Sequence, residues 1–375
     1  FRAIQFGFAS ILAPVTALVR GVQRLIQFGP ELVAAFGARE LQSAFSNFAT
    51  FDDEIRRATA EFRVFGTQGD RVRATFAGLA EQVGSASIAT QTQIAQGIAE
   101  LGRSGADAEE VTRRVLTAVT NFGLSARLSL DKAAAAAITI SNQFERPLDA
   151  FRQTADQLTA AANISPGTLV SDLLPGLANV AGAAGQLNIT LQETLALLAA
   201  GRQRGQQLAQ TGTAIQTFAR VLRTALRDPG ARSGLGEKII ENIRVEAERA
   251  GLALEEIVDV ANRTLAPGGL LKLIELTDKA GSALPVLIEE LVGAKGFRLN
   301  LVFGDAAKVE RNFKAISNSA GLVDKRVADI TKSLRSQQLI FQGIKSALQT
   351  ALLRPFSGPL LDAVQRVNEE LRNFR

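Results

Sequence analysis

Carboxylates and guanidinium groups are the main candidates for chemistry in this chain, because its 375 residues include no His and no Cys. Several acids occur as adjacent pairs within helical patterns, where neighbouring side chains point about 100° apart and cannot share one substrate. We interpret these pairs as solvated helix faces. They include Asp52-Asp53, Glu109-Glu110, Glu255-Glu256 and Glu289-Glu290.

Other signatures of catalysis or cofactor binding are also missing from the sequence. There is no GxxxxGK[ST] phosphate loop and no GxSxG nucleophile elbow. Gly234 and Gly236 precede a helical pattern, but they lack the third glycine and the preceding strand of a dinucleotide site. Metal clusters of the usual kind need His or Cys. We therefore predict that the protein is not an enzyme and binds no cofactor or metal.

A cluster of arginines is the best candidate for partner contact. Arg202 and Arg204 lie in a Gly-containing loop, and Arg220, Arg223 and Arg227 follow on one face of the next predicted helix. One interpretation is a solvated stripe near a helix C-terminus, where cations are favoured. The other is docking to an acidic surface or to DNA that passes nearby. The net charge of +5 is too small to predict sequence-specific nucleic-acid binding.

Five residue types are absent, namely Cys, His, Met, Trp and Tyr, whereas Phe occurs 21 times. Our hypothesis is that some letters were inferred from density, with Phe standing for some Tyr or Trp and Leu for some Met. The coding sequence tests this hypothesis. If it holds, the absence of His and Cys argues less strongly against catalysis, so an enzyme with miswritten active residues stays an alternative.

The local signals that would position these residues are helix caps. Thr190 and Glu193 form a capping box, in which each side chain satisfies a backbone N–H of the other residue. We predict a helix from there to Gly201 and Gly205, followed by a second helix over about 211–227. A second capping box, at Asp107 and Glu110, predicts a helix through Phe122 that ends at Gly123.

Two stretches carry apolar residues at near-heptad spacing, which is typical of helices that pack against copies of themselves. The first covers 41–65, and its predicted self-association seam is Phe45, Phe48, Ile55 and Phe62. The second lies in one or two long helices predicted over 305–353. Its seam is Val327, Ile330, Leu334, Gln337, Phe341, Ile344 and Leu348. The single polar member, Gln337, would fix register or strand number.

An uncharged run of 17 residues, from Ala3 to Val19, approaches the length of a membrane span. Two interpretations stay open, namely a buried or self-associating helix and a membrane-active segment. The apolar residues of the candidate segment are Ala3, Phe6, Phe8, Ile11, Leu12, Val15, Leu18 and Val19.

These patterns predict an all-α protein, with a multi-helix domain of capped helical hairpins flanked by long amphipathic, coiled-coil-like helices. The predicted boundaries follow the Gly and Pro breaks. They give an apolar helical segment at 1–30, a long amphipathic helix at 31–75 and a helical core at 76–227. A second helical unit follows at 228–304, and long C-terminal helices occupy 305–375.

Short motifs occur in a fixed order over about 45–222. They are Phe65-Gly66, the stretch QTQIAQGIAELGRSG at 91–105, Asn142-Gln143-Phe144, ADQLTAAA at 155–162, the capped helix from Thr190 and Gly212-Thr213-Ala214. This ordered series resembles the core region of tape measure proteins from tailed bacteriophages, and the final helices resemble them more loosely. The basic loop from Arg202 to Gly205 departs from the pattern of that family.

The resemblance implies a structural virion component that sets tail length, occupies the tail tube lumen or tail tip, and leaves as DNA is ejected. It also implies a homo-oligomer, with a trimer favoured, and contacts with tail tube and tail-tip or baseplate hub proteins. Transient contact with the host membrane is a further expectation. We expect this chain to be a folded part of a longer protein, because its Gly and Pro breaks rule out one continuous helical rod of about 560 Å.

The main alternative is a membrane-active helical protein that forms a pore or channel through Ala3–Val19. Position in a particle separates the two hypotheses, since only a tail component would be found inside a phage tail. Leakage of liposomes caused by residues 1–28 would instead favour the alternative.

Overall fold

The computed structural model describes residues 38–187, 189–227, 305–347 and 349–350, together with residue 245. Every regular element among these residues is helical and none of them lies in a strand, which confirms the all-α prediction. The predicted apolar segment 1–30 and nearly all of the predicted unit 228–304 lie outside the described residues. Contacts divide the chain into two compact units, 1–99 with 334–375, and 100–333.

The first unit contains helices α1 (Ala38–Glu61) and α2 (Gly66–Ser85), most of α3 (Gln91–Arg103), and α12 (334–347). Ile55, Phe76 and Ile98 are fully buried here. The chain turns between α1 and α2, where Arg63 has a positive φ of 55°. The prediction of a single amphipathic helix over 31–75 is therefore wrong. Its heptad pattern runs through this turn because Phe62, beyond the end of α1, packs against Phe76 with ring centroids 4.9 Å apart.

The second unit is built from consecutive short helices. They are a 3-10 turn at Ala108–Glu110, α4 (Arg113–Ala126), α5 (Leu130–Gln143), a 3-10 turn at Leu148–Ala150, α6 (Phe151–Ile164), α7 (Val170–Leu187), α8 (Leu191–Gln203), α9 (Leu208–Arg227), α10 (Ala306–Ser317) and α11 (Leu322–Thr331).

One backbone rule joins most of these helices. Where one helix ends, a residue adopts the left-handed conformation, and the next helix begins three residues later. After Gly105, Arg127, Glu145 and Gly205, a backbone N–H also bonds the carbonyl five residues back, as for Gln206 to Gly201 at 3.0 Å, which satisfies a carbonyl at the helix end. The left-handed residues at these helix junctions are Arg63, Gly105, Arg127, Glu145, Gly167 and Gly205.

Helices α6 and α8 form the centre of the second unit. In α6, Phe151 and every residue from Thr154 to Ala162 are buried, and in α8 every residue from Glu193 to Gly201 is buried. A helix buried on all sides must be surrounded by other elements. Helix α6 packs on α4, α7, α8, α10 and α11, and α8 packs on α6, α7, α9 and α10.

Helices α7 and α9 cross at two glycines. A Cβ atom on Gly212 would overlap the carbonyl oxygen of Gly176, and one on Gly176 would lie 2.9 Å from the carbonyl oxygen of Leu208. The two backbones can approach this closely only because both positions lack a side chain. Gly212 therefore has a packing role in the Gly212-Thr213-Ala214 motif.

The C-terminal helices are shorter than predicted. The stretch 305–353 was expected to form one or two long helices, but α10 ends at Ser317, α11 ends at Thr331 and α12 begins at 334. Between α11 and α12, Lys332 N and Ser333 N bond carbonyls three residues back, which tightens the last turn. No Gly or Pro marks this break, so it could not be predicted from the usual helix-breaking residues.

Candidate interaction surfaces

The predicted capping box at Thr190 and Glu193 is confirmed. Thr190 Oγ1 accepts the N–H of Glu193 at 3.2 Å, and Glu193 Oε2 accepts the N–H and the hydroxyl of Thr190 at 2.8 Å each. Glu193 is fully buried. This box thus begins the central helix α8 with a carboxylate whose charge is met by two donors of the same turn.

The second capping box is present, but it does not begin the helix that was predicted from it. Glu110 accepts the N–H of Asp107 at 2.8 Å, and the box stabilises only the 3-10 turn Ala108–Glu110. Helix α4 begins after Thr112, whose hydroxyl accepts the N–H of Val115 at 3.3 Å, and it continues to Ala126. Gly123 does not end α4, because it is used for close packing, where an added Cβ would lie 3.4 Å from the Ala133 Cβ.

Two of the five arginines predicted to contact a partner make contacts within the chain. Arg202 Nε donates to Thr168 Oγ1 at 3.3 Å. Arg204 Nη2 lies 3.4 Å from Asp305 Oδ2, and Asp305 caps α10 through its other oxygen. The basic loop that departs from the tape measure pattern thus holds α10 against the end of α8.

The other three predicted contact residues, Arg220, Arg223 and Arg227, lie in the last turns of α9. Their partner role stays a prediction. The apolar segment from Ala3 to Val19 lies outside the described residues, so its membrane role stays a prediction as well. Within the described part of the chain, no helix is both long and apolar enough to cross a bilayer.

The N-terminal seam lies in α1 and the turn that follows it. Ile55 is 1% exposed, and Phe48 and Phe62 are partly buried, with Phe62 against Phe76. Phe45 lies in the second turn of α1. The chain itself therefore covers much of this seam, while its role in self-association stays a prediction.

The C-terminal seam is divided between the two units. Val327 and Ile330 belong to α11 in the second unit, whereas Leu334, Gln337, Phe341 and Ile344 belong to α12 in the first. The expectation of one continuous seam is therefore wrong, because the helix ends at Thr331. Leu348 lies outside the described residues.

Helix α12 carries its large apolar side chains on the outer face. Leu334 is 77% exposed, Phe341 69% and Ile344 49%, and an open groove runs along Gln337, Gln338, Phe341 and Gln342. Small residues face inward, since a Cβ on Gly343 would lie 3.1 Å from the carbonyl oxygen of Gly84. Exposed apolar side chains grouped in this way mark an interaction surface. We call Leu334, Gln337, Phe341 and Ile344 the α12 face.

Asp156 is a structural anchor whose role could not be read from the sequence. It is 3% exposed, and its two oxygens accept the N–H groups of Gly321 and Val323 at 2.8 Å each. The N-cap residue of helix α11 is Gly321, which has no side chain to cap the helix, so Asp156 of α6 supplies the cap. The only sequence signal was a lone acid in an Ala-rich helix.

Arg146 is a second polar group whose role became visible only in the structure. It follows Glu145, which has a positive φ of 49°, and it donates to Gln157 Oε1 at 2.8 Å and to Thr154 Oγ1 at 3.1 Å. Burial lowers the pKa of this guanidinium from its ordinary value. Arg146 thereby satisfies buried polar atoms of the central helix α6.

Most of the contacts described above are helix-packing contacts, and the described residues hold no cluster of His, Cys, Asp or Glu that could bind a metal ion. A family model described as phage-related minor tail protein matches residues 77–342, more than two thirds of the chain. The chain belongs to the phage-related minor tail protein family. This minor tail protein matches no curated protein and no solved structure.

The family places this minor tail protein in the tail of a phage virion, among structural proteins that are generally not enzymes. The matched residues run from α2 to α12 and include both central helices. The resemblance noted from the sequence is confirmed at the level of the family.

Proposed function

We propose that this minor tail protein is part of a tape measure protein, which sets tail length, lies in the tail tube lumen or tail tip, and is released during DNA ejection. The observation that carries the proposal is the family match over 77–342, because it covers the same hairpins in which the tape measure motifs occur in order. The packing role of Gly212 gives one of those motifs a physical basis.

The folded hairpins suit a tip-proximal part better than the ruler itself. A ruler in helical form adds about 1.5 Å per residue, whereas the second unit folds back at five left-handed turns between Gly105 and Gly205. We expect the length-determining residues to lie outside this unit.

Changes in the length of the full gene test the proposal. In-frame deletions outside 77–342 should shorten the tail by about 1.5 Å for each helical residue removed, as measured on virions by electron microscopy. A point substitution within the hairpins that leaves the fold intact is the control and should leave tail length unchanged. Tails of unaltered length in every deletion would contradict the tape measure role.

The proposal includes self-association, with a trimer favoured, through the α12 face. The exposed residues Leu334, Phe341 and Ile344 occupy a and d positions of a heptad, and Gln337 is the polar member between them. Gln337→Leu should therefore strengthen association but broaden the distribution of oligomers. Mass photometry of the full chain would show this, and an unchanged distribution would argue against a seam that includes Gln337.

Tail tube and tail-tip or baseplate hub proteins are the proposed partners, without sequence-specific binding of nucleic acid. The candidate contact residues on this protein are Arg220, Arg223 and Arg227. Replacing all three with alanine should reduce incorporation into tails, measured by quantifying the protein in purified virions. If both incorporation and DNA delivery are normal, these arginines do not contact a partner and form only a solvated stripe.

A second candidate function is a membrane-active helical protein, favoured by the uncharged run Ala3–Val19. It predicts release of a dye from liposomes by the full chain. Replacing Ile11 and Val15 with lysine should then abolish the release. Without any release by the unaltered chain, this candidate fails.

A further inference from the structure

Helices α10 and α11, which we call the strap, lie over the two central helices. The strap packs on α4, α6 and α8. Val309 and Ile316 of α10 are fully buried, and Val323 of α11 is 2% exposed. Residues 228–304 separate the strap from α9 in the sequence, so none of the tight turns that join α4 to α9 holds it in place.

The strap is pinned at its middle by Asp156. This carboxylate accepts two backbone N–H groups at the start of α11, and hydrogen bonds to a charged acceptor are stronger than those between neutral groups. Because Asp156 is almost fully buried, water cannot replace these two donors unless the strap moves away.

One further strap contact is a partly buried hydrogen bond, which Asn121 Nδ2 donates to Asp324 Oδ1 at 3.1 Å. Three other polar contacts are weaker by geometry or by exposure. Arg152 pairs with Asp324, but the two side chains are 59% and 36% exposed. Arg204 and Asp305 are 3.4 Å apart. Asn312 lies 3.4 Å from the Ala196 carbonyl oxygen. Exposed ion pairs contribute little to stability because water and salt screen them.

The hairpins beneath the strap have their own connections. Short turns join α4 to α9, and α7 and α9 contact each other through Gly176 and Gly212 independently of the strap. Proteins open locally in contiguous cooperative units without global unfolding, and such a unit often coincides with a supersecondary element such as a helix pair. We propose that the strap is a detachable element, with Asp156 as its buried polar anchor, which opens as one unit while the hairpins α4 to α9 stay folded.

This inference goes beyond the tape measure role and does not depend on it. Opening would uncover α6 and α8, and would give a tail protein a first step of release that leaves its hairpins intact. The strap would therefore switch the second unit between a closed conformation and one in which α6 and α8 are uncovered.

Hydrogen exchange of the full chain, measured by mass spectrometry, tests the proposal. Amides of 306–331 should exchange together and at least about ten-fold faster than amides of α6 and α8. Asp156→Asn should accelerate exchange in 306–331 by a further ten-fold or so, since one charged acceptor is lost, with little change in α5 and α8. The matched control is Asp172→Asn, which removes an exposed carboxylate that accepts the N–H of Leu169 at 2.9 Å. It should leave 306–331 unchanged.

Thiol labelling gives a second measurement that does not require the Asp156 variant to fold, and the chain contains no native cysteine. Val309→Cys in the strap should react with a maleimide at least about ten-fold faster than Ala137→Cys in α5, although both positions are fully buried. Equal labelling rates, or exchange of 306–331 at the same rate as α8, would overturn the detachable strap. Normal exchange in Asp156→Asn would overturn the role of Asp156 as its pin.

Discussion

Glu193 Oε2 accepts both the N–H and the hydroxyl of Thr190, each at 2.8 Å, and the Glu193 side chain of this capping box is fully buried. The box of Asp107 and Glu110 has a corresponding N–H bond of 2.8 Å, but both of its side chains are exposed. The molecule therefore contains a buried and an exposed version of one motif. Substitution in the buried box should therefore lower the free energy of unfolding far more than substitution in the exposed box, because water cannot satisfy the buried groups that are left without partners.

Glu193→Ala should accordingly lower the free energy of unfolding by about 2 kcal/mol or more. Glu110→Ala should lower it by less than about 1 kcal/mol. Urea denaturation followed by circular dichroism measures both. Losses of equal size would show that burial of the box does not determine its contribution.

Gly212→Ala should destabilise the second unit by about 2 kcal/mol, since the new methyl group would overlap the carbonyl oxygen of Gly176 and force α7 and α9 apart. Gly78→Ala is the matched control. It lies within α2 with open space around its Cβ position, and it should raise stability by about 0.5–1 kcal/mol through helix propensity. The midpoints of thermal unfolding should move in opposite directions, and a neutral Gly212→Ala would argue against the close crossing.

Arg127→Gly should stabilise the protein by about 0.5–1 kcal/mol. Arg127 is exposed with a φ of 56°, a conformation that costs a residue with a Cβ about 1–2 kcal/mol, and the greater freedom of glycine in the unfolded chain cancels only part of that gain. Gly105→Ala, at a φ of 102°, makes the reverse change and should be destabilising. If Arg127→Gly instead lowers the denaturation midpoint, its side chain must contribute more than its backbone conformation costs.

Leu334→Ser and Phe341→Ser should each weaken self-association by about ten-fold or more, because each removes an apolar side chain that a second copy would bury. Both residues are largely exposed, so the unfolding of the monomer should hardly change. Leu169→Ser is the control, since Leu169 is a half-exposed leucine outside the α12 face. Analytical ultracentrifugation measures the dissociation constants, and association that is equally insensitive to all three would exclude the α12 face.

Asp131→Asn should remove a stabilising contribution that depends on pH. The Ser129 hydroxyl holds the pKa of Asp131 below its ordinary value of 3.8, so the charged form is favoured in the folded state. The contribution is therefore present above that ordinary value and is lost as the pH falls through the lower folded value. Urea midpoints of the two proteins should differ at about pH 7 and converge as the pH falls below the lowered pKa of Asp131 in the folded state. A difference that persists in acid would rule out this cause.

Several features of this minor tail protein were determined by local sequence. The capping box at Thr190 and the helix end near Gly205 could be predicted, because both depend on residues within one or two helical turns. The all-α class followed from the same caps together with helical spacing. The family resemblance relied on the order of those local motifs.

Other features depended on residues that are distant in the sequence. Heptad spacing continued through the turn at Arg63 and through the break after Thr331, because spacing records which residues are apolar and not whether the helix between them is continuous. Asp156 caps a helix whose N-cap residue, Gly321, lies 165 residues later. Such a bond has no local signature, since the sequence does not state which backbone N–H groups will be brought beside a buried carboxylate. Local chemistry thus determined where most helices begin and end, and tertiary packing decided which of their polar groups meet and which apolar faces stay uncovered.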